Sequence, residues 1–370
     1  MELTVKASDL QKEIQMVYGV IERKATIPIL SNVLLKAKDN NLYLTATDIV
    51  VCINSSCPAV VMAEGSVTVS GQKIYESIRF LPPDGEIHIK LKENNWTHID
   101  CEQTKYKIAG IGSDEFPTIQ ECDYSQAISM PWNVMSTMIN KVLFAISSDD
   151  TRYAMRGALL IIDGEGVSLV STDGHRLAYI HRKMKTTMKG NKMLKLIIPR
   201  KAMQELIKIG DDEQEIFISE RENHVFFKIG TREIISSILE GEFPDFMKIV
   251  EDRGQVKLKL LTQLFMDAMK RVSPFSNEKL KGVSLSIEPG KLDVSASSAE
   301  LGEAQETLQI DFKGNKTKIS FNSRYIIEFL GAVGSEQIVM SLRDESSQGL
   351  FLPEPAGEFE YKYIVMPMSL

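Results

Sequence analysis

The 370-residue chain is poor in the residues that most often carry chemistry: four cysteines, five histidines and two tryptophans. Cys52, Cys57, Cys101 and Cys122 all lie in the first third and do not form two CxxC pairs. A structural zinc site needs ligands paired at short spacing, so these read as buried free thiols. His88, His98, His175, His181 and His224 place no two at metal-ligand spacing on a helix, so no metal site is expected. There is no GxxxxGK phosphate loop, no GxGxxG after a strand, no HExxH and no GxSxG, so neither a cofactor nor a familiar catalytic motif is indicated. No run approaches the roughly 18 apolar residues of a membrane helix. The opening MELTVKASDLQKEI is amphipathic and lacks an apolar signal core, so the expected compartment is the cytoplasm, with no membrane partner. A net charge of −7 is also short of what a uniformly basic nucleic-acid binder would carry. The sum is a weak guide, however, because binding depends on where the cations lie.

What the chain does have is an internal repeat. NVLLKAKDNNLYLTATD (32–48), GALLIIDGEGVSLVSTD (157–173) and GVSLSIEPGKLDVSASS (282–298) each read as strand, short polar turn, strand, and their first residues are 125 apart. An amphipathic helix precedes each hairpin. Its apolar stripe is Leu10, Ile14, Val17 and Ile21 in the first copy, Met135, Met138, Ile139, Val142 and Ile146 in the second, and Leu261, Leu264, Phe265, Ala268 and Val272 in the third. A second helix recurs at 72–81, 200–209 and 323–332, each time between two strands. Every copy closes on an apolar residue and proline: Phe116-Pro117, Phe243-Pro244 and Met366-Pro367. The expected fold class is therefore α+β: three tandem units, 1–125, 126–252 and 253–370, each with two helices and about eight strands, the helices packed on antiparallel sheet.

Cations recur on or beside the helix faces opposite those stripes. They include Lys12, Arg23 and Lys24, then Lys141, then Lys270 and Arg271 on or after the first helices, and Lys73, Arg79, Arg200, Lys201, Lys208 and Arg324 on the second. Arg152 and Arg156 follow in a loop, while acidic runs such as Asp211-Asp212-Glu213 lie elsewhere. For one helix this would be a solvated face. Recurring in three copies, it describes a surface able to attract phosphate backbones without reading sequence. No aromatic ladder interleaves these cations, so base stacking is not indicated.

One stretch, STDGHR (171–176), looks like an acid–base site. Asp173 and His175 flank Gly174, but nothing beyond Ser171 and Thr172 offers a nucleophile. The first copy keeps Thr-Asp (TATDIVVCI) and the third has SASSAELGE, so Thr172-Asp173 is assigned to the fold. Gly174, His175, Arg176 and Leu177 have no equivalent and are assigned a surface role. Three readings stay open here: a DNA-binding protein, a hydrolase using Asp173 and His175, and a non-catalytic repeat scaffold that binds proteins only.

The triplication, TIPILSNVLL (26–35), TDGHRLA (172–178), FPDF (243–246) and the terminal YIVMPMSL resemble the β subunit of bacterial DNA polymerase III, the replication sliding clamps. The resemblance runs end to end. It implies three clamp domains per chain, a head-to-tail homodimer forming a six-domain ring around duplex DNA, and no catalytic residue. It implies DNA contacts at Lys24, Lys73, Arg152 and Tyr153, to which the cation pattern adds Lys201; Asp149 and Ala154 depart from the family pattern. It also implies a groove between the second and third domains that takes short linear peptides from the polymerase catalytic subunit, the clamp loader and repair proteins. Its walls would be Met155, Thr172, Gly174, His175, Arg176, Leu177, Pro244, Lys248, Ile249, Asn322, Tyr325, Ser346, Val365, Met366, Pro367 and Met368. Lys248 and Ser369 stand where the family often has arginine. Met-rich walls suit a site with several partners.

Overall fold

The computed structural model describes residues 1–22, 26–149, 151–186, 188, 193–211 and 213–369. Among them are six α-helices and 24 strands, eight strands in each sequence copy. The helices are α1 (Ala7–Tyr18), α2 (Gly71–Ile78), α3 (Trp132–Val142), α4 (Arg200–Ile209), α5 (Thr262–Val272) and α6 (Ser323–Val333).

The alternating stretches form the expected hairpins, Asn32–Lys38 with Asn41–Thr47, Gly157–Ile162 with Gly166–Thr172, and Gly282–Glu288 with Lys291–Ser298. In the first, Asp39 and Asn40 both take positive φ (49° and 54°), which matches the right-handed twist of the flanking strands. The helix stripes hold except at four positions. Ile21 and Ile146 lie past the ends of α1 and α3, and Leu261 closes a strand while Leu264 stays exposed, so the buried stripe of α5 is Phe265, Ala268, Met269 and Val272.

Strand pairing groups the copies differently from their order along the chain. Residues 1–135 and 201–238 form one compact unit, and 136–200 and 239–370 a second. In the first unit, a 12-stranded sheet joins the eight strands of the first copy to four of the second, with Arg232–Ser237 pairing on Val51–Ala63. In the second unit, an eight-stranded sheet joins the other four strands of the second copy to four of the third, with Glu360–Val365 pairing on Arg176–Lys183. A four-stranded sheet completes that unit. The last strands of the second and third copies thus each cover an edge that the preceding copy leaves open, which removes a site of unwanted strand addition.

Cys52, Cys57 and Cys101 are buried free thiols and Cys122 is half-buried, as composition suggested. Burial raises the Cys52 thiol pKa and pushes that of Cys57 up to about 12, so both stay protonated and unreactive near neutrality. No cluster of metal-ligating side chains occurs among the described residues, and no described helix is long and apolar enough to cross a membrane.

Candidate functional site

The STDGHR turn is built by its first two polar residues. Thr172 Oγ1 donates to the Arg176 carbonyl at 2.6 Å and accepts from Gly174 N at 3.1 Å. Asp173 Oδ1 accepts from His175 N and Arg176 N at 3.0 and 3.1 Å. The first copy repeats the turn: Thr47 Oγ1 donates to Val51 O and accepts from Ile49 N, and Asp48 Oδ1 accepts from Val51 N. The third residue takes positive φ in both, 85° at Gly174 and 79° at Ile49. A Cβ at position 174 would lie 1.8 Å from Arg152 Nη1, the end of a flexible side chain that would have to move aside. The turn also engages three of the side chains a hydrolase here would use. The Ser171 hydroxyl donates to Val142 O, Thr172 is committed to Arg176 O, and Asp173 Oδ2 accepts from Arg176 Nε at 2.9 Å.

Two residues assigned to the surface are in fact buried. Arg176 is only 6% exposed. Its Nη1 pairs with Glu328 on α6, its Nη2 donates to Phe144 O at 2.6 Å, and its guanidinium lies 4.3 Å from the Tyr325 ring centre. A guanidinium with two carboxylates, a carbonyl and an aromatic face is a tie between elements, and a wall only through what it holds. Leu177 packs in a core cluster with Leu159, Val170, Phe246 and Ile364. Thr172 is buried as well.

Glu328 gives that tie a pH dependence. Burial raises its pKa, but hydrogen bonds from Arg324 and Arg176 outweigh it and hold the carboxyl below its usual value. A lowered folded pKa contributes stability that is whole above the unfolded carboxylate range and is lost as pH falls through the folded value. Chemical unfolding measured between about pH 6 and pH 3 should therefore show a smaller acid loss in Glu328→Gln than in the parent. Parallel curves would remove Glu328 as a contributor.

The C-terminal segment is laid against the turn. Val365 pairs with Arg176, Met366 N donates to His175 O at 2.9 Å, and Met368 N donates to Ser320 O at 2.8 Å. Val365 is buried, Met366 is 47% exposed, and Pro367 and Met368 are half-buried. Ile249 joins the edge of the Leu177 cluster, with its carbonyl held by Gln348 Nε2. Pro244 and Met155 are half-buried, and Lys248 is exposed. Asn322 caps α6 through Arg324 N, and Tyr325 accepts the Tyr363 hydroxyl on its carbonyl. Ser346 sits exposed in a turn bonded to Asp344. Next to the turn a cavity of about 300 Å³ is lined by His175, Arg176, Tyr325, Arg152 and Arg200 among others.

The expected DNA-facing cations divide into free and committed. Lys24 lies outside the described residues. Lys73 is exposed, with a loose 3.5 Å contact to Glu76, and Tyr153 is exposed. Arg152 donates to the Asp173 carbonyl at 2.6 Å, which ties its loop to the STDGHR turn. Lys201 departs from expectation: its ammonium is held by Asp48 and by Val20 O. Lys141 also turns inward and donates to Ala332 and Val333 carbonyls at the C-terminus of α6, and burial lowers its pKa. Arg271 and Arg324 are engaged by Glu306 and Glu328. Sequence spacing also hid one aromatic stack, Tyr18 on Tyr75 at 4.4 Å, with Arg79 over Tyr75 and Phe80.

Three repeated sheet-building units, a turn whose Ser171, Thr172 and Asp173 side chains are engaged in hydrogen bonds, and a C-terminal tail laid beside that turn are the features to match. The chain matches the DNA polymerase III beta subunit in all three parts, the N-terminal domain over residues 1–120, the central domain over 129–245 and the C-terminal domain over 248–369. It belongs to that family. The beta sliding clamp of Pseudomonas putida KT2440 is 31% identical over 372 residues, and that of Escherichia coli K12 is 29% identical over 374, each covering both chains in full. The crystal structure of DNA polymerase III subunit beta from Pseudomonas aeruginosa superposes with a TM-score of 0.93 at 30% identity, again over both whole chains. A second P. aeruginosa sliding clamp, with griselimycin bound, superposes with a TM-score of 0.92 at 30% identity over the same span.

Proposed function

We propose that this protein is a DNA sliding clamp, a non-catalytic processivity factor that encircles duplex DNA as a head-to-tail homodimer and tethers partners. Three clamp-family domains, in order and over nearly the whole chain, carry this reading. Three domains per chain and two chains give six domains, and a heterologous contact that closes gives a ring. Lys24, Lys73, Arg152 and Tyr153 are proposed to meet the phosphate backbone, weakly and without reading bases, because retention comes from closure. Lys201 would contribute only after leaving Asp48. The groove formed by the 172–177 turn, the 244–249 segment and residues 365–368 is proposed to take linear peptides from the polymerase catalytic subunit, clamp loader and repair proteins. The cytoplasm is the proposed compartment.

The test is retention. Loaded by a clamp loader, the protein should stay on closed circular duplex through gel filtration and be lost after the circle is cut. Equal loss from both forms removes the reading. Native mass should fall at twice 41.5 kDa.

A further inference from the structure

Arg152 belongs to both proposed sites, and two fastenings tie it to the groove. The first is its side chain. Nη1 donates to the Asp173 carbonyl at 2.6 Å, over Gly174, in the turn that makes one wall. The second is its backbone. Arg152 stands at the N-cap of the single-turn helix Tyr153–Arg156, and Met155, another wall residue, donates its N–H to Arg152 O at 2.9 Å. Between them, Ala154 packs against the cluster that holds Leu177 and Phe246, and Tyr153 is exposed. Residues 152–155 therefore run from the proposed DNA contacts into the walls of the peptide groove.

The side-chain fastening is one that a phosphate can undo. The Asp173 carbonyl is neutral, and the Asp173 carboxylate is already engaged by Arg176. Asp149 Oδ2 lies 4.0 Å from Arg152 Nε, too far for a hydrogen bond, while its Oδ1 accepts from Thr151 N and Oγ1. A hydrogen bond to a charged oxygen is about twice as strong as one to a neutral oxygen, so a phosphate within reach takes the guanidinium from Asp173 O. The cavity of about 300 Å³ that Arg152 lines leaves the side chain room to turn. The turn keeps its own shape, because Thr172, Asp173 and Arg176 hold it without Arg152. What is lost is the hold of the 152–155 segment on the turn. A peptide arriving then has to order one wall against the other as it binds, which lowers its affinity.

We propose that Arg152 is a latch that couples the two sites negatively. On Asp173 O it fixes the peptide groove; on a DNA phosphate it loosens the groove. The proposal rests on the clamp reading above and adds a regulation of its two sites. Linkage makes the effect reciprocal. A clamp holding a peptide keeps Arg152 on Asp173 and meets the DNA backbone with one cation fewer, which favours sliding while a partner is attached.

The test uses the full-length protein at low salt, with a labelled peptide from the polymerase catalytic subunit and a short DNA duplex, each titrated alone and with the other at saturation. In the parent, saturating duplex should raise the peptide Kd about fivefold, and saturating peptide should raise the duplex Kd by the same factor. Arg152→Ala should bind peptide about fivefold more weakly than the parent without DNA, and duplex should change that affinity no further. Lys73→Ala should need more duplex for saturation and then show the parent's coupling. Failure of the parent to bind either ligand removes the clamp reading and the proposal with it. Binding of both with independent affinities removes the proposal alone. So does coupling of the opposite sign, coupling that survives Arg152→Ala, or coupling that disappears in Lys73→Ala.

Discussion

Deleting residues 366–370 should lower peptide affinity at the 172–177 groove at least a hundredfold, about 2.8 kcal/mol, and leave retention on circular DNA unchanged. The deletion takes away Met366, Pro367 and Met368, the exposed and half-buried apolar side chains beside His175. Flexible thioether side chains are suited to fit several partners, and a few apolar anchors carry most of the energy of a peptide interface. The deletion also removes two backbone hydrogen bonds, Met366 N to His175 O and Met368 N to Ser320 O. Each contributes about 1 kcal/mol net, so the fold should survive. The strand Glu360–Val365 keeps its pairing with Arg176–Lys183 on one side and Gly349–Glu354 on the other. Fluorescence anisotropy with a labelled peptide from the polymerase catalytic subunit reads the first effect, and retention on a circle reads the second. Unchanged peptide affinity would sink the groove assignment. Loss of both activities together would mean that the tail holds the fold, not a ligand.

The contrast between what spacing revealed and what it hid follows the range of the interactions. Hairpins and helices are local: a polar turn between alternating stretches, or an apolar residue every third or fourth position, is visible in 10 to 20 residues, and all three hairpins and all six helices were legible that way. The Thr-Asp turn was legible because one copy served as a control for another, and the hydrogen bonds at Thr47-Asp48 and Thr172-Asp173 bear that comparison out. Long-range pairing was not legible. Arg176 meets Glu328 across 152 positions, Lys201 meets Asp48 across 153, and Lys141 reaches the end of α6 across 191. Each lies beside an apolar stripe or on a strand end, where a charge looks solvent-facing until its partner is known. The same limit hid the shared sheets. Alternation identifies a strand, but not which neighbouring copy supplies the strand beside it.

Glu13 shows the point in stability terms, and Arg232→Ala should be among the most costly substitutions in the first unit. Glu13 lies on the buried stripe of α1 among Leu10, Ile14 and Val17, an improbable place for a lone carboxylate. Arg232, 219 positions away, meets it with two hydrogen bonds, Nε to Oε2 at 2.9 Å and Nη2 to Oε1 at 2.7 Å, while Nη1 donates to Ile209 O and the Ser55 hydroxyl donates to Glu13. Both side chains are 8% exposed. Removing one member of such a pair strands the other charge in a poorly polarisable interior, which costs about 3–5 kcal/mol. Replacing both by apolar residues of similar volume removes the stranded charge, so Glu13→Leu/Arg232→Met should cost far less than Arg232→Ala. Urea unfolding of the two variants, followed by circular dichroism, separates the effects. If the double variant is as unstable as the single, the pair's value lies in holding α1 to Ile209 and Ser55 through directed bonds, and the isolated-charge account fails.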